Sequence, residues 1–209
     1  MSAIQFYVID TETTGLKSGY HEMCEIGIIR YSDRMQLCKK IKCKNPERAS
    51  FDALNITGKT IEDLNDGLDA AQVIISCEKF FAEDGTSPSH RCIIAHNASF
   101  DRKFLHALWE EYGKIFPANL WLDTMSLSRE YAKQIGLLKP KVNLQAACDM
   151  VGIKKIALAH NAKVDSRNTY LLHKNLVEDK KVNYLPFIKT AIHTVSNAEE
   201  HDMSLLEDL

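Results

Sequence analysis

Asp10 and Glu12 stand one residue apart in the stretch FYVIDTETTGL, at the end of an apolar run. In an extended strand, side chains alternate between faces, so both carboxylates project to the same side and repel one another. If both stay ionised beside a buried strand, a positive group must compensate them, because like charges sharing a dry site push one pKa up until a proton binds. A bound cation would do so. Carboxylate oxygens with no cysteine or histidine beside them suit a hard ion such as Mg²⁺ or Mn²⁺ rather than zinc. The other reading is a cap: an acid after a strand closes a turn, and Thr13, Thr14 and Gly15 are ordinary turn residues. On this stretch alone the two readings stand level.

Two further stretches carry acids in chemical company. In IIAHNASFDRKFL a strand stops at His96 and Asn97 and a helix begins near Ser99, which puts Asp101 in the first turn, where the helix dipole favours its charge. Phe100, Phe104 and Leu108 recur every four residues; Phe104 and Leu108 read as core, while Phe100 at the mouth is free to touch a ligand. His96 and Asn97 read as loop residues that satisfy backbone groups. In LAHNAKVDSRNTYLLHKNL, His160 precedes Asp165 by five residues, so the histidine falls on the loop and the acid in the helix, both facing one pocket. A metal-activated water needs a base that titrates near neutrality, and histidine is the side chain that does.

These side chains need elements to hold them. Buried strands are predicted at 4–9 and 92–95, a hairpin pair at 25–29 and 37–43, and a short strand at 120–122. Helical spacing marks 70–81, 100–112, 124–135, 142–151 and 162–177. The order implies an α/β protein with a mixed central sheet and helices on both faces. A chain of 209 residues, 45% of them hydrophobic, is long enough for one sizeable core. Its formal charge of -2 gives no global basic footprint, so nucleic-acid contacts would rest on local clusters: Lys39, Lys40, Lys42, Lys44 and Arg48, then Lys139 with Lys141 and Lys154 with Lys155. Each cluster taken alone reads first as a solvated face. Six cysteines without CxxC spacing indicate neither a zinc site nor a disulfide framework. No apolar stretch reaches membrane-spanning length and no secretory leader is recognisable, which gives the expectation of a soluble, cytoplasmic protein.

Asp10-x-Glu12-Thr13-Thr14-Gly15, His96-Asn97-Ala98-x-Phe100-Asp101 and His160-x-Ala162-x-x-Asp165 resemble, in order, the three motifs of the DEDDh 3′→5′ exonucleases, a DnaQ-like family on a ribonuclease H-like fold. The resemblance spans residues 4 to about 177. The segment from Ala53 to Thr57 also resembles one near the family's nucleotide site, although Asn55 stands directly before Ile56 where a histidine and glycine are common. The resemblance implies an exonuclease domain at 1–181, with a C-terminal helix and acidic tail at 182–209. It implies two ions, Mg²⁺ or Mn²⁺, held by Asp10, Glu12, Asp101 and Asp165, with Asp10 bridging and His160 taking the proton of the attacking water. Thr13, Leu16, Asn97 and Phe100 would seat the terminal nucleotide of a single-stranded 3′ end. The activity implied is release of nucleoside 5′-monophosphates from DNA in proofreading or repair, with an exoribonuclease of the same family as the alternative.

Rival readings are weaker. A non-catalytic nucleic-acid-binding module has no need of four acids and a base. Thr57-Gly58-Lys59-Thr60 hints at a phosphate-binding loop, but Ala53 stands where its leading glycine belongs and no apolar strand precedes it. Asp123, before a helical pattern, is expected to be a helix cap rather than a further ligand. In the tail, Asp202-Met203-Ser204-Leu205-Leu206 resembles the short peptides that dock on the bacterial sliding clamp, with aspartate where glutamine is usual, so a clamp or polymerase is an expected partner alongside nucleic acid, and no membrane is.

Overall fold

The structure, a computed structural model, describes residues 4–154 and 161–193. Its first strand, β1 (Gln5–Thr13), runs on through both acids, so they lie within a strand rather than after one. β2 (Met23–Arg30) and β3 (Gln36–Lys40) follow as successive antiparallel neighbours. Two short helices, α1 (Phe51–Thr57) and α2 (Ile61–Leu64), come next, too short for apolar periodicity to reveal them. Ser50 caps the first, and Thr60 with Asp63 caps the second reciprocally. The chain continues through α3 (Ala70–Ala82), β4 (Arg91–Ala95), α4 (Ala98–Glu111), β5 (Leu120–Asp123), α5 (Thr124–Gln134), α6 (Leu144–Met150) and α7 (Ala162–Lys174). A wider π turn at Asn175–Asp179 and a two-residue strand, β6 (Lys189–Thr190), complete the described elements. The sheet order is β3-β2-β1-β4-β5-β6, with β1, β4 and β5 parallel and the other three antiparallel to their neighbours.

Alternation along β1 sorts the core into two layers. Tyr7 and Ile9 face the layer that holds Val73, Phe81, Leu105 and Trp109, contributed by α3 and α4. Val8 faces the opposite layer, with Leu127 of α5, Ala147 of α6 and Leu172 of α7. Asp10 and Glu12 continue Val8's side, and that side is the one α7 covers.

Close docking of α7 depends on Gly27 of β2, which pairs in register with Asp10. A β-carbon at Gly27 would overlap the Ala162 carbonyl at the start of α7, with Ser166 Oγ next to it. The helix therefore rests backbone against backbone at the point where its first turn brings Asp165 to the sheet.

Residues 182–193, set apart in the sequence as a helix and tail, hold a single 3₁₀ turn at Leu185–Phe187 and the strand β6, paired with β5. Val182 is buried in the α7 layer, and the His193 ring nitrogen Nδ1 accepts a 2.8 Å hydrogen bond from the Phe116 amide. The clamp-like peptide lies outside the described residues. Asp123 is the cap of α5, accepting hydrogen bonds from the amides of Met125 at 3.0 Å and Asn97 at 2.9 Å. All six cysteines are free. Among the described residues no helix is long and apolar enough to cross a membrane.

Gly27→Ala is expected to push α7 off the sheet and to destabilise the protein by about 1–3 kcal/mol, the usual cost of forcing a methyl into a close-packed contact. Urea unfolding measures it; a loss below about 0.5 kcal/mol would mean that the helix can retreat freely.

Candidate active site

Carboxylate oxygens of Asp10, Glu12 and Asp165 all lie within 4.8 Å of one another. The strand's two-residue period supplies the first two, and the third arrives from the first turn of α7. Asn161 fixes that turn: its side-chain oxygen accepts from the amides of Lys163 at 3.1 Å and Val164 at 3.3 Å. Asp165 then sits where the helix's unpaired amides and dipole favour a negative charge. Its Oδ1 also accepts from the Asn168 side-chain amide at 3.3 Å.

Asp101 reaches the same end of β1 from the opposite layer. Its Oδ1 accepts from both the Thr11 amide, 3.1 Å, and the Thr11 hydroxyl, 2.9 Å. Thr11 projects to the α4 side of the strand, between the two acids that project to the α7 side, so the bond pins α4 to β1 across the acidic pair. Asp101 accordingly stands behind the group of three rather than within its 4.8 Å radius, close enough to be the strongest charged neighbour acting on Asp10.

Enclosure makes these charges expensive. Glu12, Asp101 and Asp165 are buried, and only Asp10 is partly exposed. Desolvation, followed by repulsion from Asp101, Glu12 and Asp165, pushes the Asp10 carboxyl well above its usual range. Glu12 is pushed up to about 8 by burial and then by Asp165 and Glu25. Asp101 rises to about 7, chiefly through burial, with the hydrogen bonds from Thr11 pulling the other way. A carboxylate cluster of this kind without a compensating cation holds protons at neutral pH. Its donors are all oxygens, so it fits a hard divalent ion that would displace those protons.

The remaining sequence candidates fall around this cluster. The Thr13 hydroxyl donates to the Gly15 carbonyl at 2.7 Å, and Leu16 projects from the following loop with 85% of its surface exposed. Asn97 adopts a left-handed backbone, φ 70° and ψ 51°, at the start of α4, and its exposed side chain accepts from Ser99 Oγ. Phe100 is half-buried, its ring 5.0 Å from that of Phe104. His96 turns away, one ring nitrogen 2.8 Å from the Val142 carbonyl and the other 2.9 Å from the Thr124 hydroxyl. His160 lies outside the described residues.

Two residues at the cluster were not among the site residues expected from the sequence, Lys59 having figured only in the phosphate-loop hint. Glu25, buried on β2, pairs in register with Glu12, and Lys59 Nζ lies 2.8 Å from Glu25 Oε2. Burial works against the charged ammonium, but the hydrogen bond and attraction to Glu25 outweigh it and hold its pKa above the ordinary lysine value. The same ammonium partly offsets the repulsion felt by Glu12. The available signal was Glu25 itself, an acid opening a strand of otherwise apolar residues; its lysine partner, 34 positions away, leaves no local pattern.

A family profile described as exonuclease, RNase_T, matches residues 7–173. The PolC-type DNA polymerase III of Staphylococcus haemolyticus is 27% identical over 177 residues, a match that takes in 84% of this chain and 12% of the polymerase, so the chain spans a small part of the length of that relative. The nuclease domain of 3′hExo, a DEDDh family member solved bound to rAMP, superposes with a TM-score of 0.67 at 13% identity, over 93% of this chain and 98% of that one. E. coli exonuclease I, solved with a dT13 oligonucleotide, superposes with a TM-score of 0.70 at 17% identity, over 85% of this chain and 42% of that one.

The raised carboxyls set a pH dependence. A carboxyl that is protonated in the fold above its unfolded pKa releases its proton on unfolding, so metal-free stability is highest below that unfolded value, 4.5 for Glu12, and falls as pH rises toward about 8. Thermal unfolding in chelator should show this decline, Glu12→Gln should flatten it, and Mg²⁺ or Mn²⁺ should raise the midpoint more at pH 8 than at pH 5. A metal effect of equal size at both pH values would show that no protons are displaced. Separately, Lys59→Met leaves Glu25 buried without its partner and should cost about 3–5 kcal/mol in urea unfolding, recovered in part by adding Glu25→Gln. Full stability in the single variant would mean that water replaces the ammonium.

Proposed function

The chain belongs to the RNase_T exonuclease family, with the ribonuclease H-like fold of the DEDDh enzymes, and on that premise we propose that it hydrolyses nucleic acid stepwise from the 3′ end, releasing nucleoside 5′-monophosphates. The observation that carries the reading is the convergence of Asp10, Glu12 and Asp165 within 4.8 Å, with Asp101 held behind Asp10 by Thr11. Asp10, Glu12, Asp101 and Asp165 would hold two ions, Mg²⁺ or Mn²⁺. When bound, such ions lower the pKa of a water and neutralise charge on the phosphoryl group and the leaving 3′-oxygen.

The chain's own side chains supply the rest. His160 takes the proton of the attacking water, since imidazole is the side chain suited to hold a proton transiently near neutral pH. Exposed Leu16 and half-buried Phe100 seat the terminal base without reading its identity, while Thr13 and Asn97 frame the sugar and phosphate. DNA is the substrate we favour, because the curated relative is a DNA polymerase; an exoribonuclease is the second reading, favoured by the superposition on an enzyme solved with rAMP. A polymerase or sliding clamp is the proposed protein partner.

A single gel tests this: 5′-labelled single-stranded DNA, duplex DNA and RNA, each with Mg²⁺, Mn²⁺ or chelator. The expected outcome is a stepwise ladder from the 3′ end, absent in chelator and abolished by Asp10→Ala or Asp165→Ala. His160→Ala should lower turnover by roughly 10²–10⁴ while nucleotide binding persists. Internal cuts, or activity that survives chelator, would overturn the mechanism.

A further inference from the structure

Lys59 stands alone between two helix caps. Gly58 closes α1 in a left-handed backbone, φ 65°, and Thr60 opens α2 through its reciprocal cap with Asp63. Both helices are tied to the strands that carry the acids. The Ser50 amide at the head of α1 donates to the Thr14 carbonyl at 2.8 Å, just beyond β1. Leu64 of α2 is buried with Cys24 and Cys43, and its carbonyl accepts from the Cys43 amide at 2.8 Å. From this turn Lys59 Nζ donates to Glu25 Oε2 at 2.8 Å, with 15% of the lysine side chain and 7% of the glutamate side chain exposed.

Stability does not call for this pair, since apolar residues of similar volume in place of a buried ion pair are often neutral or stabilising. Nor is Glu25 one of the converging donors: among the described residues, the carboxylate oxygens that lie within 4.8 Å of one another come from Asp10, Glu12 and Asp165. Yet Glu25 is well placed to join them. It sits directly opposite Glu12 on the neighbouring strand, on the same face of the sheet, where facing β-carbons stand about 4.5–5.5 Å apart. Its charge acts on both Glu12 and Asp10. The bond to Lys59 commits one of its oxygens to the turn between α1 and α2 instead.

Resting on the reading above in which the acids hold divalent ions for exonuclease chemistry, we propose that Lys59 is a positioning residue that withholds Glu25 from the donor set and thereby sets the site's choice of cation. Mg²⁺ takes few protein ligands, keeps several waters and demands near-octahedral geometry, whereas Ca²⁺ accepts about six to eight oxygens in flexible arrangements. A further carboxylate free beside Glu12 favours the larger ion. With the ammonium on Glu25, the donors left are Asp10, Glu12, Asp101 and Asp165, a smaller set that suits Mg²⁺ or Mn²⁺.

Titration calorimetry of the full chain with Ca²⁺ and with Mn²⁺, in the absence of nucleic acid, tests this. Lys59→Gln keeps a hydrogen-bonding group beside Glu25 without the charge, and should tighten Ca²⁺ relative to Mn²⁺ by roughly tenfold, the usual scale for a change next to a metal ligand. Lys59→Arg and Glu25→Gln should each keep the ratio of the unsubstituted protein, and combining Lys59→Gln with Glu25→Gln should restore it. A purely structural pair would lower the unfolding midpoint of Lys59→Gln and leave its Ca²⁺ to Mn²⁺ ratio unchanged, which overturns the proposal. So does a loss of Mn²⁺ affinity of about tenfold in Glu25→Gln, the mark of a native ligand, and that arm holds even where Lys59→Gln does not fold. Digestion of 5′-labelled DNA and RNA in Mg²⁺ separates this proposal from the reading it rests on. An unchanged ratio in a protein that shortens either strand from its 3′ end overturns the role of Lys59 and leaves the exonuclease standing. The expected shift in a protein that degrades neither strand upholds Lys59 and removes the exonuclease. Failure of the unsubstituted protein to bind either ion overturns both.

Discussion

Mutual repulsion of carboxylates in an enclosed site is the constraint to which much of this structure answers. Asp10, Glu12 and Asp165 would separate if their elements were free to move, since three like charges within 4.8 Å in a poorly solvated site favour either protonation or retreat. The fold blocks retreat. Asp10 and Glu12 are locked by pairing of β1 with β2 and, at Asp10's end, by the parallel contact of β1 with β4 nearby. Asp165 is locked by a helix that lies on β2 through Gly27 and is capped by Asn161. The stabilisation comes from two apolar layers, one on each face of the sheet, and the strain is confined to one end of one strand.

The same end of β1 is held from both faces at once. On the α7 side Asp10 and Glu12 project toward Asp165; on the α4 side Thr11 donates to Asp101 through its amide and its hydroxyl together. A two-residue period thus has two uses, since the residue between the acids becomes the clamp for the fourth one. Glu25 and Lys59 bring both signs to the cluster: Glu25 adds to the repulsion on Glu12, and the Lys59 ammonium offsets part of it. Held 2.8 Å from Glu25, that ammonium is the one cation among the named influences on Glu12.

Much of this was legible in the sequence, and the limits have physical causes. The apolar runs at 92–95 and 120–122 and the helical spacing at 70–81 and 124–135 match β4, β5, α3 and α5 to within a residue or so, because each buries a regular face. The first strand was read as ending at residue 9, since charge ends an apolar run, whereas the pairing with β2 carries it through Thr13. The helices α1 and α2 left no trace: at seven and four residues they bury little, and only Leu64 of the two is fully inside. β6 went unseen because two exposed residues that add to a sheet edge have no pattern of their own. At the site, residue types and spacing named the acids, but Glu25 with Lys59 and Thr11 with Asp101 are partnerships across 34 and 90 positions, which only the folded chain brings together.

The loop from Thr13 to Glu22 leads out of the strand that carries Asp10 and Glu12 and back to β2. Its ends are tied by the Thr14 amide to the Glu22 carbonyl, 2.8 Å, and the Glu22 amide back to the Thr14 hydroxyl, 2.9 Å. Inside those ties, Gly15 gives up its side-chain volume to the His21 ring, while Leu16 and Tyr20 are exposed. Leu16 is the apolar tip of this loop, 85% exposed. A short loop with no slack can hold that tip steady beside charged oxygens without lending it a hydrophobic pocket of its own. The rigidity that the acids require from β1 is thereby passed directly into the loop that follows it.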